Sequence, residues 1–186
     1  NSLQNDAAVM KLSEQRKWRD LMHYHTTAII GGALLSYVDD VAFFLSPEGK
    51  TNPEEELQAT IRALFDDVSS GNKHPSCRFP ARKNWLSEKL NIPLENLAKP
   101  KCSDYNDWKE QVNATRLSLI FPSAYINSPS SMFGHTFFRF DPTDLESRTD
   151  WLSWALSFGA QLDSSDNSIA FAYRGIFGGY PGIFNM

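Results

Sequence analysis

The sequence predicts an α+β fold, with a helical layer over residues 1–113 packed on a small antiparallel sheet region over residues 114–186, together one compact domain. Three observations carry this. Up to about residue 113 the apolar residues recur at helical spacing and are punctuated by caps and prolines. From Arg116 they alternate instead, with the two-residue period of a half-buried strand. Finally, 186 residues of which 41% are apolar are enough for one proper core.

The first helix is predicted to start at Asp6 as N-cap, with Trp18, Leu21, Met22, His25 and Ile29 on one face. His25 lies on that face and His23 does not. Residues two apart on a helix point about 200° apart, so the two histidines share a metal only if the segment is a strand. Packing or capping is the ordinary reading, and no metal site is expected. Ser36 to Leu45 contains the pair Asp39-Asp40, whose adjacent carboxylates point in different directions and read as solvated or capping. Asn52-Pro53-Glu54-Glu55-Glu56 opens the clearest helix. Asn52 is its cap, Pro53 its first residue, and the acids are favoured by the helix dipole. Leu57, Ile61, Leu64, Phe65 and Val68 supply its buried face, and Ser69-Ser70-Gly71 is expected to stop it. A polar connector with His74 and Cys77 leads to a helix from Pro80 to Leu90, with Trp85, Leu86 and Leu90 inward. Ser103 opens the last helix of this half, carrying Tyr105, Trp108 and Val112.

Leu117, Leu119 and Phe121 mark the first strand, which Pro122 ends. A strand from Gly134 to Asp141 puts His135, Phe137 and Arg139 on one face and Thr136, Phe138 and Phe140 on the other. Trp151 to Phe158 puts Ser153, Ala155 and Ser157 opposite to Leu152, Trp154, Leu156 and Phe158, and Ser168 to Tyr173 reads as a fourth strand.

The formal net charge is −4, and no block of like charges exceeds Glu54 to Glu56. This argues against a phosphate-binding surface, so no nucleic-acid partner is expected. The longest apolar stretch, around Ala28 to Leu35, is broken by Gly31 and Gly32 and falls short of a membrane span. The chain opens on Asn1 with no recognisable signal peptide, which is compatible with a processed leader. Cys77 and Cys102 are too few for a disulfide framework or a zinc site. They are either buried free thiols or a single bridge, which needs an oxidising compartment.

The stretch before the second strand is where chemistry is expected. Two prolines and the hydroxyls of Ser128, Ser130 and Ser131 make an exposed loop, Gly134 permits close approach of a substrate, and His135 follows at the head of the strand. His135 is the candidate catalytic base, since a histidine is the natural proton shuttle when another group orients it. Ser157 on the next strand is the candidate orienter. Ser128, Ser130, Ser131, Gly134 and Arg139 are the candidate substrate-binding residues.

The string Ser128-Pro-Ser-Ser-Met-Phe-Gly-His135-Thr-Phe-Phe-Arg-Phe-Asp141 resembles the signature of a family of bacterial cell-envelope proteins. The family is typified by the N-terminal periplasmic domain of the lipoprotein N-acyltransferase Lnb. Trp18 to Tyr24, Ser36 to Leu45, Cys77 to Leu86, Leu119 to Phe121, Ala155 to Ala160 and Gly175 to Phe184 extend the resemblance in order along nearly the whole chain. It implies a partial, circularly permuted papain-like (NlpC-like) fold in the periplasm, no cofactor, and a Cys77–Cys102 disulfide. In such folds the histidine comes first and the nucleophilic cysteine later, at a helix N-terminus that lowers its pKa. His135 matches the histidine, but no cysteine follows Cys102.

The implied function is therefore the base of a Cys/His thiol acyltransferase or hydrolase whose cysteine lies beyond residue 186. A lipid would be acyl donor and a lipoprotein amine the acceptor, with membrane association through segments outside this chain. By the NlpC-like analogy the substrate is peptidoglycan peptide. Three alternatives stand beside it: a serine enzyme using Ser130 or Ser131, a thiol enzyme using Cys77 or Cys102, and a non-enzymatic envelope binding module.

Overall fold

A computed structural model describes residues 2–26, 32–121, 136–142, 154–160, 165–177, 180 and 182–185. The fold is α+β, and it divides into two compact units, Asn1–Asn106 and Asp107–Met186.

The first unit begins with α1 (Ser2–Val9), a 3-10 turn at Leu12–Glu14 and α2 (Arg16–Leu21). The single long helix expected from Asp6 is thus broken, because Lys11 takes a left-handed conformation at φ 50°. A second left-handed residue, His23 at φ 55°, turns the chain out of α2 into strand β1 (Tyr24–Thr26). His25 is therefore a strand residue, opposite Leu35 of the antiparallel β2 (Leu34–Ser36), and not part of a helical face. The aromatic and β-branched character of Tyr24-His25-Thr26 suits that pairing.

Helix α3 (Pro53–Ala63) starts as expected, with the Asn52 side chain accepting from the Glu55 N–H at 3.2 Å. It stops earlier than expected. Leu57, Ile61 and Leu64 are buried, but Phe65 and Val68 lie past its end and stay about half exposed. Asp67 captures the Ser69 N–H and starts a separate 3-10 turn at Val68–Lys73, which competes with continuation of the helix. Helices α4 (Pro75–Arg78) and α5 (Pro80–Lys89) follow. The core of this unit gathers Leu12, Trp18, Met22, Leu57, Leu64 and Leu86, all essentially excluded from solvent. Trp18 stacks on Trp85 with ring centres 5.6 Å apart, and its indole N–H donates to the Pro53 carbonyl at 3.1 Å. Burying each of these large side chains contributes roughly 1.5–3 kcal/mol.

Helix α6 (Ser103–Val112) runs across the boundary between the units. The second unit is a four-stranded, wholly antiparallel sheet in the order β3 (Ala114–Ile120), β4 (Phe137–Pro142), β5 (Trp154–Ala160), β6 (Gly182–Asn185). Trp108 of α6 meets Phe140 edge to face at 6.3 Å, and the Trp154 indole donates to the Gln111 carbonyl at 3.3 Å. Ser168 to Tyr173, expected as a strand, is instead part of helix α7 (Ser168–Phe177). The reason is local: the Asn167 side chain accepts from the N–H groups of Ile169 and Ala170 and caps a run containing the helix formers Ala170 and Ala172.

Candidate functional site

The sheet register places the described candidate residues. Arg139 stands between Ser118 of β3 and Ala155 of β5, while Phe137 stands between Ile120 and Ser157. Ser157 in turn faces Asn185 of β6. Arg116, Ser118, Phe137, Arg139, Asp141 and Ser157 therefore share one face of the sheet, and Leu117, Leu119, Phe138, Phe140, Trp154 and Leu156 the other. His135, Ser128, Ser130, Ser131 and Gly134 lie outside the described residues.

Arg139, expected to meet substrate, is engaged within the sheet. Its Nε donates to Asp141 Oδ1 at 2.7 Å, and the Ser118 hydroxyl donates to Asp141 Oδ2. Asp141 is largely buried, and the hydrogen bond from Ser118, with the hydrogen bond and the charge of Arg139, holds its carboxyl below the usual aspartate range against the opposing cost of desolvation. Asp141 was not singled out by the sequence, although its parity with Arg139 along β4 puts both on one face.

The first unit holds a second polar assembly. Glu56 of α3 is fully buried and accepts from the backbone N–H groups of Leu45 (2.9 Å) and Ser46 (2.8 Å) and from Arg82 Nη1 (3.0 Å). Arg82 also donates to the Phe43 carbonyl at 2.8 Å, and its guanidinium lies over the rings of Phe79 (3.8 Å) and Phe43 (4.3 Å). Beside them the Tyr24 hydroxyl donates to the Gly49 carbonyl. Burial pushes the Glu56 carboxyl and the Tyr24 phenol upward, and pulls Arg82 down to about 10. Glu56 is held by two backbone N–H groups and by Arg82, and Arg82 reaches on to the Phe43 carbonyl, so the assembly ties the segment Phe43–Ser46 to α3 and α5. Sequence reading took Glu56 as one of three acids favoured by the helix dipole. The fact that Glu56, Thr60 and Ala63 follow the buried spacing of α3 is the signal that it points inward.

Two further points concern chemistry. The His74 side chain accepts from the Ser76 N–H at Nδ1 (3.1 Å), which leaves Nε2 as the protonated nitrogen facing the Asp66 carbonyl at 3.3 Å. It is a buried cap of α4. Cys77 and Cys102 form a disulfide that joins α4 to the residue before α6. Among the described residues, no group of three His, Cys, Asp or Glu side chains is placed to hold a metal ion.

Comparison with known families adds to this geometry. Residues 104–186 match the family model of the Lnb N-terminal periplasmic domain. Residues 10–89 match a second model, a domain of unknown function (DUF7843). No curated protein and no solved structure matches the chain. The Lnb-type domain makes the chain periplasmic, an oxidising compartment in which the Cys77–Cys102 bridge persists. Among the described residues no helix is long and apolar enough to cross a membrane.

Proposed function

We propose that the Lnb-type domain supplies the general base, His135, of a thiol-dependent acyl transfer from a lipid ester to a lipoprotein amine. The observation that carries this reading is the sheet register. Strand β4, which follows His135 in the chain, is central, and Ser157 stands opposite Phe137 on the face that strand alternation assigns to His135. The Cys77–Cys102 bridge ties up both thiols of the sequence. The nucleophile is therefore a cysteine outside these 186 residues.

In the reaction His135 takes the thiol proton and the thiolate attacks the ester carbonyl. The tetrahedral adduct collapses with loss of the alcohol, which receives that proton from the histidine. The acceptor amine then attacks the thioester, His135 removes the amine proton, and the thiolate leaves with the acyl group now in amide linkage. Ser157 orients the imidazole, and Arg139, held by Asp141, borders the site.

Hydrolysis of a peptidoglycan peptide uses the same first half, with an amide in place of the ester. An envelope binding module without catalysis is the second reading. It is favoured by the exposure of Leu117, Leu119 and Phe121, which an enzyme core does not require.

The test is acyl transfer by the natural full-length protein carrying His135→Ala or Ser157→Ala. The His135 variant should retain its fold by circular dichroism and lose transfer. The Ser157 variant should lower kcat and shift the limb of the pH profile that reports the histidine. Full activity of a folded His135→Ala protein would overturn the catalytic reading.

A further inference from the structure

Among the described residues, strand β3 is an edge of the four-stranded sheet, hydrogen-bonded to β4 on one side only. Among the described residues, nothing pairs with the main chain of Ala114–Ile120 on the side away from β4. An unpaired edge of this kind is a template for another strand, and natural edges are commonly blunted with proline, lysine or inward charges. β3 carries Arg116 and a register shift between Ala114 and Arg116 at its start, but neither device interrupts Leu117–Ile120. Along one face it leaves Leu117 57% and Leu119 48% exposed, and Phe121 just past its end 71% exposed. The next sheet neighbours on that face, Phe138 and Trp154, are also exposed. A strand added here must therefore bring apolar residues in alternation on that same face.

We infer that β3 pairs antiparallel with β3 of a second copy of this chain, joining two four-stranded sheets into one across a two-fold axis. β3 itself meets the requirement that the edge imposes. In the register centred on Leu119, Leu119 faces its own symmetry mate and Leu117 faces Phe121, so all three exposed side chains gain an apolar partner. A register centred on Ser118 sets Phe121 against Thr115 and forfeits one of these contacts. The single charge on the strand does not oppose the pairing. In the Leu119 register the two Arg116 residues sit six positions apart, roughly 20 Å at about 3.4 Å per residue, well beyond the ~8 Å screening length.

The experiment is sedimentation velocity on the full chain from low to high micromolar concentration, with two variants. Leu119→Lys sets two charges face to face on the axis and should weaken association by at least about tenfold. The change leaves the fold intact, because the side chain is half exposed. Leu119→Cys brings two thiols opposite each other with Cβ atoms about 5 Å apart, and should give a disulfide-linked dimer on mild oxidation. Ile169→Cys, exposed on α7, should not. A wild-type chain that stays monomeric throughout overturns the inference, including one that instead takes up an unrelated extended peptide at β3. Cross-linking of Leu119→Cys no faster than of Ile169→Cys, or a dimer indifferent to Leu119→Lys, overturns it as well.

Discussion

Arg82→Met is the sharpest perturbation of the first unit. The substitution keeps much of the apolar stem but removes the ion pair to Glu56, the hydrogen bond to the Phe43 carbonyl and the stacking on Phe43 and Phe79. What remains is a carboxylate fully excluded from solvent, with only two backbone N–H groups to hold it. Removing one partner of a buried ion pair costs about 3–5 kcal/mol, and each cation–π contact is worth roughly 0.5–1 kcal/mol more. We expect a loss of about 4 kcal/mol at pH 8, a large part of the 5–15 kcal/mol typical of a domain. The pH dependence identifies the cause. Burial already raises the Glu56 pKa above its ordinary value in the folded chain, and loss of Arg82 raises it further. Between the unfolded and folded pKa values the native state binds the extra proton, so stability falls as pH rises through that window and recovers as pH falls. The deficit of Arg82→Met should therefore shrink by more than about 1 kcal/mol between pH 8 and pH 5. Urea unfolding followed by tryptophan fluorescence reads both numbers, with the Trp18–Trp85 stack reporting on this unit. A variant within about 1 kcal/mol of wild type at pH 8, or a deficit equal at both pH values, would refute the reasoning.

Other consequences follow from the same packing. Replacing Cys77 and Cys102 together by serine removes a bridge closing a sequence separation of 25, which should cost about 3.5 kcal/mol on the chain-entropy model, measured as a lowered urea midpoint. Gly49→Ala directs a methyl group into the Glu56 carboxylate and to 2.9 Å from Phe44 Cβ, and should destabilise by about 2 kcal/mol in thermal unfolding. Asp141 has a folded pKa below its unfolded value, so its contribution is present above the ordinary aspartate range and is lost as pH falls through the folded pKa. The protection factors of the Ala114–Ile120 amides, taken relative to intrinsic exchange at each pH, should therefore fall in acid in the wild type, and Asp141→Asn should flatten that dependence.

What the sequence made legible was set by whether the signal was local. Asn52-Pro53 announced the start of α3 because cap and proline act within one turn. Alternation placed Phe137 and Arg139 on one face of β4 and Ala155 and Ser157 on one face of β5, as the register has them. The errors came where periodicity was ambiguous or a single backbone dihedral decided. Lys11 and His23 have left-handed conformations that no spacing of apolar residues reveals, and they divide what reads as one helix. Ser168 to Tyr173 alternates like a strand, yet the Asn167 cap makes it a helix. The pairings of Glu56 with Arg82 and of Ser118 with Asp141 span 26 and 23 residues, a distance over which sequence spacing carries no information.

The central claim is that an acyl-transfer thiol lies outside residues 1–186 and depends on His135. Its most direct test is peptide-mapped alkylation of the natural protein across pH, without reduction and then with it. The account predicts that Cys77 and Cys102 are labelled only after reduction, whereas one further cysteine reacts first, at low pH, and loses that reactivity in His135→Ala. A natural protein with no further cysteine, or with one whose reactivity is indifferent to His135, would contradict it.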